Sequence, residues 1–421
     1  MVEGNTPRSA VRQPFPRRSL LIAIIGSLAA FAVVLSGQAS EWMQRAEQFY
    51  ADIRTSLFTE RTFGDHPDIV LISVGDNVDA NRSTFGARAQ VDRTRLAKLI
   101  EIIDEGAPRA IGIDVPLTAA ADPVGDLTLQ RALREAKQRV ILGAREERDE
   151  IGREQRAWSD RFIAGTGRAV GHIASIYEGS RVVRYDSGAL ALSRTPDSFA
   201  TLLARAQRPE VRRNFGRIAW LQKVDGDGWL TRWINLGAQQ PFRLLYGEEI
   251  VDNVKALPPR TLSNKLVIVT SGFAEIERHR TPLSALSAEA VPAAVVQAQA
   301  IAQLLDGRTI GELQPRTSRL LLFWIAAFAG IVGWYRRAGL NIGGWLVALI
   351  GLVAADVFAY TWLGLTLPAL QSILVWILGE AAGRGLRHVL KWEETHGRRW
   401  PIEDQTTAEL IPIGSARKEL A

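Results

Sequence analysis

RLAKLIEIIDEGAPRAIGID, Arg95–Asp114, sets a helix, its stop and a strand side by side. Leu96, Leu99, Ile100 and Ile103 recur at spacings of three and four, so they share one face of a helix. Asp92 stands where a side-chain oxygen can accept from the first free backbone N–H groups, and Gly106 marks the end. Past Pro108, RAIGIDV (Arg109–Val115) is an apolar run of strand length, rich in β-branched residues. DIVLISVGD (Asp68–Asp76) has the same character upstream. Strand, helix and strand of these lengths predict a right-handed βαβ crossover with neighbouring parallel strands.

The pattern continues outward. Asp126 is read as the cap of a helix reaching Lys137, followed by a third strand at Arg139–Ala144. KLVIVT, Lys265–Thr270, is a late buried strand, and Ala293–Leu305 an amphipathic helix stopped by Gly307. Between 150 and 260 the pattern is weaker, with strand candidates at Arg168–Ile176 and Arg181–Tyr185 and a helix capped at Asp197. Ahead of the first strand, Trp42, Ala46, Phe49, Ile53 and Leu57 form an apolar helical stripe. That helix either prolongs a membrane segment as a stalk or packs onto the domain. The expected fold class is an α/β domain with a largely parallel central sheet, plus four transmembrane α-helices.

The membrane segments stand out because charge is segregated along the chain. Leu20–Gly37 is free of charge and, as a helix, spans about 27 Å, enough for a hydrocarbon core. Arg8, Arg12, Arg17 and Arg18 precede it. It reads as an uncleaved anchor, or as a signal peptide cut near Gly37-Gln38-Ala39; its length favours the anchor. Leu320–Tyr335, Leu340–Leu367 and Pro368–Gly383 are the later apolar runs. With the N-terminus inside, Arg336-Arg337 and Arg384, Arg387, His388 and Lys391 all fall on the cytoplasmic side, as positive residues in short loops should. The expected division is a basic cytoplasmic N-terminus 1–19, spans 20–37, 318–335, 340–363 and 367–383, an exported domain 38–317 and a cytoplasmic tail 384–421. The expected location is a bacterial inner membrane, with the large domain periplasmic or extracellular.

Within these spans, Asp356 and Glu380 are the carboxylates a transport pathway would need. Asp356 lies toward the outer face, within reach of headgroups or of Arg319, and Glu380 lies one turn from Arg384. Gly379 and Gly383 have the spacing of close helix packing. The formal charge of +6 is accounted for by the basic flanks of the spans, and no module for nucleic acid appears.

The exported segment resembles the CHASE domain of type 2, the cyclase- and histidine-kinase-associated sensory extracellular domain of bacterial receptors. Tyr50-Ala51-Asp52-Ile53-Arg54 is similar to its opening element and Asp68–Asp76 to its first strand. Arg95–Asp114 is the closest match. Arg181-Val182-Val183-Arg184, Asn264–Gly272, Thr281-Pro282 and Val291–Leu305 follow in the family's order. The resemblance covers roughly residues 45–310, and three membrane helices after the domain also fit the family's layout. Two departures stand out. The acidic stretch before Val-Val-Arg is reduced to Glu178-Gly179-Ser180, and residues 384–421 are too few for the cyclase or kinase that family members commonly carry. The resemblance therefore implies a sensor that signals through a separate cytoplasmic partner.

Ligands of parallel α/β sheets bind beyond the carboxyl ends of the strands. Asp76 and Asp114 end two strands, Arg93 opens the adjoining helix, and His279-Arg280 follow the late strand. These five residues read either as a polar-ligand or cation site, or as loop caps that pair with one another. Asp225-Gly226-Asp227-Gly228 begins like a calcium loop, but Leu236 stands where a bidentate Glu is needed, so a hairpin turn is the better account. His66, His172, His279, His388 and His396 lack metal-ligand spacing, and the chain has no cysteine. No phosphate-binding loop or nucleophile elbow is present, so neither enzyme chemistry nor a cofactor or metal is expected. The competing readings are a scaffold subunit of an envelope complex and, more weakly, a transporter component. Expected partners are the lipid bilayer and either a cytoplasmic signalling protein or envelope subunits, with a homodimer admissible. Lys391–Arg399, with Trp392 and Trp400, suits an interfacial helix or a partner-docking site.

Overall fold

The computed structural model describes residues 17–37, 40–75, 91–145, 152–173, 175–178, 181–185, 195, 197–212, 217–224, 239–253, 257–258, 260–271, 278–287, 290–335 and 341–396. The helices used below are α1 Arg17–Gly37, α2 Glu41–Phe58, α3 Arg93–Glu105, α4 Pro123–Glu135, α5 Arg153–Thr166, α6 Phe199–Gln207, α7 Ala293–Asp306, α8 Pro315–Tyr335, α9 Asn341–Leu363 and α10 Ala369–His396. The chain divides into two compact units. One comprises Glu41–Ser318 with Ile350–Leu370; the other comprises Met1–Ser40, Arg319–Leu349 and Gln371–Ala421.

The first unit is built on six parallel strands: β1 Ile69–Val74, β2 Ala110–Asp114, β3 Arg139–Ala144, β4 Ala169–His172, β5 Arg243–Tyr246 and β6 Leu266–Ser271. Their order is β4-β3-β2-β6-β1-β5. Both faces are covered, which is why the central strands read as unbroken apolar runs. Val70, Ile72, Ile111, Ile113, Val267 and Val269 pack against the stripe of α3 and against α4. Ile69, Leu71, Ala110, Ile141 and Ile268 pack against α6 and α7. Asp92 caps α3 as expected, its Oδ1 accepting from Thr94 at 2.9 Å and Arg95 at 3.1 Å.

Several expectations need correcting. β1 and β2 are not neighbours, because β6 lies between them and pairs with both. Leu266, Val267, Ile268 and Val269 are fully buried, so β6 takes the central place where both faces are dry. The cap of α4 is Asp122, not Asp126: its carboxylate accepts from Gly125 at 2.9 Å, with proline in the first helical turn. The cap of α6 is Ser198, whose hydroxyl accepts from Thr201, while Asp197 bonds Arg205. The candidate at Arg168–Ile176 divides into β4 and Ser175–Glu178, which forms an antiparallel hairpin with Arg181–Tyr185. Asp225–Gly228 lies outside the described residues.

α7 differs most from an amphipathic surface helix, since every residue from Ala294 to Leu305 is buried. Gln299 and Gln303 serve as hydrogen-bond partners for neighbouring backbone through both amide atoms, which offsets the cost of burying them. Gln299 accepts from Leu221 N at 2.8 Å and donates to Leu221 O at 2.7 Å. One turn on, Gln303 accepts from Ala219 N and donates to Arg217 O. Leu221–Lys223 then pairs in parallel with Glu60–Thr62, directly after α2.

α2 spans the expected residues but buries the other side. Trp42 and Phe49 of the apolar stripe are exposed, while Asp52, Arg54, Thr55 and Ser56 are buried. Ala46, Ile53 and Leu57 of the stripe are half-buried, so it is the Trp42–Phe49 part that lies away from the packed interior of its unit.

Among the described residues, Pro315–Tyr335 and Gly344–Leu363 are long and apolar enough to cross a membrane, and a third span results if Ile24–Gly37 and Glu41–Phe58 count as one. α10 is diluted by Gln371, Glu380 and Arg384, and it continues through His396, absorbing part of the expected interfacial segment. In the second unit Val34, Leu322, Ala326 and Val375 form the core. α8 and α10 cross so closely that a Cβ on Gly333 would run into the Glu380 carbonyl, and one on Gly383 into the Gly330 carbonyl.

Candidate functional site

The carboxyl edge of the sheet brings polar residues together on one face. Ser73 of β1, Thr270 of β6 and Asp114 of β2 lie in one register row, and all three are buried. They share the strand face of Ala110 and Leu71, which packs on α6 and α7. Gly143 and Gly171 continue the row on β3 and β4. A Cβ on Gly171 would collide with the backbone at Phe199, and one on Gly143 would lie 3.7 Å from Asp114 Oδ1. The space at these glycines is taken by Ile173, whose Cγ2 would lie 2.7 Å from a Cβ on Gly143, and by the Phe199 backbone, so the carboxylate is closely packed.

Burial pushes Asp114 up to about 6, against the opposing pull of the Arg145 guanidinium. Burial also lowers His279, and the same guanidinium lowers it further. Asp114 and His279 each lie within electrostatic reach of Arg145 at the strand ends. Of the residues expected from sequence, Asp114 and His279 are brought into this group. Arg93 is not. It is buried on the opposite face, with Nε 3.4 Å from Asp126 and Nη2 donating to Ala119 O at 3.3 Å. Burial lowers its pKa, and Asp126 holds the charge in place. Arg280 is exposed, and Asp76 lies outside the described residues. Arg145, Thr270 and Ser73 were not anticipated, although a charge immediately after β3 is the kind of residue that strand ends present to ligands. Among the described residues, no group of three or more His, Asp or Glu side chains converges as metal ligands.

A second buried constellation joins α2 to the end of α9. Arg54 Nη1 donates to Asp356 Oδ1 at 2.6 Å, with the two side chains 3% and 1% exposed. Tyr50 Oη donates to Asp356 Oδ2 at 2.9 Å, and Leu367 N to Oδ1 at 3.3 Å. The Arg54 guanidinium lies 4.7 Å above the Tyr360 ring. Tyr50, Arg54 and the Leu367 N–H thus satisfy the carboxylate, while the guanidinium keeps its Nε without a hydrogen-bond partner and rests on the Tyr360 ring. The expected alternatives for Asp356, headgroups or Arg319, give way to Arg54, 302 positions earlier. Glu380 is also fully buried and bonds Arg384 one turn on, as its spacing implied. Arg384 lies 5.9 Å from the Trp345 ring, and Arg387 donates to Trp334 O at 2.9 Å.

The family model described as CHASE2 domain matches residues 26–340, well over half of the chain. No curated protein and no solved structure matches.

Proposed function

The chain belongs to the CHASE2 family, and from that premise we propose that it is a bacterial membrane sensor whose exported domain detects a stimulus and relays it through its membrane helices to a separate cytoplasmic partner. In this reading the chain crosses an inner membrane four times, with both termini cytoplasmic, the domain of residues 38–317 outside, and no catalysis of its own. The distribution of Arg around the apolar runs supports that orientation. The stimulus acts at the strand ends, where Asp114, Arg145 and His279 offer charge of both signs.

The observation that carries the proposal is the buried Arg54–Asp356 pair. It ends a continuous series of contacts that starts at the sheet. α7 packs on β1 and β6, its glutamines hold Ala219 and Leu221, and Leu221–Lys223 pairs with Glu60–Thr62. Thr59 Oγ1 donates to Trp220 O at 2.6 Å, and α2 then reaches Asp356 through Arg54. A ligand acts along such a series only if it binds two arrangements of it unequally. The two carboxylates that a transporter reading would use are each paired with a guanidinium, so no free carboxylate supports that alternative.

The chain has no cysteine, so one engineered thiol reports cleanly. With Lys391→Cys on α10 as the reporter, Arg54→Lys and Asp356→Asn should change its labelling rate in proteins that retain native circular dichroism. Unchanged rates, together with stoichiometric co-purification of envelope proteins, would favour the scaffold reading instead.

A further inference from the structure

A cavity of about 760 Å³ opens in the first unit, between the foot of α2 and the outer end of α9. That is within the range of roughly 300–1,000 Å³ typical of small-molecule sites. One wall is apolar, formed by Ala354, Val357, Phe358 and Trp362 of α9. Phe358 and Trp362 stack at 6.3 Å and remain largely exposed, the placement of aromatic residues that mark a membrane–water interface. The polar lining comes from Thr59, Glu60, Arg61 and Arg308, and Tyr360 lines the cavity as well.

Two buried groups of this lining end without a hydrogen-bond partner, Arg308 Nη2 and Tyr360 Oη. The Arg308 side chain is 8% exposed and Tyr360 6% exposed. Arg308 is otherwise engaged, with Nε 3.0 Å from Asp306 and 3.8 Å from Glu60, and Nη1 on the Ala219 carbonyl. Both orphaned groups can donate, so what they lack is an acceptor. A buried donor left unmade costs free energy that a bound acceptor would recover. The cations on the lining outnumber its one carboxylate, Glu60, which favours an anionic acceptor.

We propose that this cavity binds one phospholipid from the leaflet facing the domain. Its phosphodiester oxygens accept from Arg308 and Tyr360 beside Arg61, and its acyl chain lies along Ala354, Val357 and Phe358. The apolar lining from α9 argues for a lipid over a soluble phosphate, which would leave that lining unfilled. Because Tyr360 also lies under Arg54, an occupied cavity would steady the Arg54–Asp356 pair. The inference rests on α9 being a membrane span but not on the sensor reading, since its test measures binding alone.

The test uses full-length protein purified in detergent, exchanged until loosely held lipid is gone, and examined by native mass spectrometry before and after adding back phosphatidylglycerol. One retained phospholipid per wild-type chain is expected. Tyr360→Phe, which removes only the hydroxyl, should weaken rebinding roughly ten-fold. Ala354→Trp, which fills the apolar side without touching a donor, should abolish it. Glycerol phosphate, carrying the headgroup chemistry without acyl chains, should not compete. The proposal is overturned if wild-type protein holds no lipid, if both folded variants rebind as wild type does, or if glycerol phosphate competes equally.

Discussion

Asp356 and Glu380 are both carboxylates on apolar helices, and both are almost wholly buried, yet they are satisfied in opposite ways. Glu380 takes its cation from Arg384 on the same helix, one turn away. Asp356 takes its cation from Arg54, across most of the chain, with help from Tyr50. A local pair allows a helix to carry a charge whatever the rest of the chain does. A distant pair exists only when two parts of the fold are correctly assembled, so it can report on their arrangement.

The largest expected effect comes from breaking the distant pair on one side. Arg54→Ala leaves Asp356 buried without its cation and should cost about 3–5 kcal/mol, read as a large drop in the melting temperature of the purified protein. Next comes a third buried carboxylate, Asp114, whose pKa is raised to about 6 from its ordinary 3.8. The folded state then holds its proton more tightly than the unfolded state, so the contribution of Asp114 to stability is greatest below pH 4 and falls as pH rises from about 4 to 6. Asp114→Asn should remove that dependence, raising stability above pH 6 by about 1–3 kcal/mol relative to wild type. A melting series from pH 4 to 8 in which both proteins slope alike would refute this. Tyr50→Phe removes one hydrogen bond to Asp356 and should cost about 1–2 kcal/mol. Smallest is Arg384→Lys, which keeps the one-turn pair and should change stability by less than about 0.5 kcal/mol.

Orientation can be tested independently of these energies. Lys98→Cys, on the exposed side of α3, should react with an impermeant maleimide in cells whose outer membrane is opened, and Lys391→Cys only after lysis. The reverse pattern would overturn the proposed topology.

The strands at 69–74, 110–114, 139–144 and 266–271 were legible because burial on both faces demands unbroken apolar runs, and such runs are local. Their order was not, since the insertion of β6 between β1 and β2 depends on pairing between distant segments. β5 escaped notice because Arg243 and Tyr246 are exposed and only Leu244 and Leu245 lie between them, a poor strand signal at a sheet edge. α2 misled for a different reason. Its stripe of Trp42 and Phe49 faces outward, where a membrane interface would supply the apolar surroundings that the domain does not. For the site, Asp114 and His279 were readable from their places after strands, but Arg93 was assigned to the wrong face. Which face a helix start serves depends on which helices pack there, and Asp126 settles it for Arg93.

The measurement that bears most directly on the account is a double-mutant cycle on Arg54 and Asp356, followed by thermal melting of the full-length protein. If the pair is mutually dependent, Arg54→Met and Asp356→Leu should each destabilise strongly, and the double variant should be more stable than either single one. Strictly additive losses would contradict it, because the two side chains would then be independent of each other and the contact between α2 and α9 would transmit nothing.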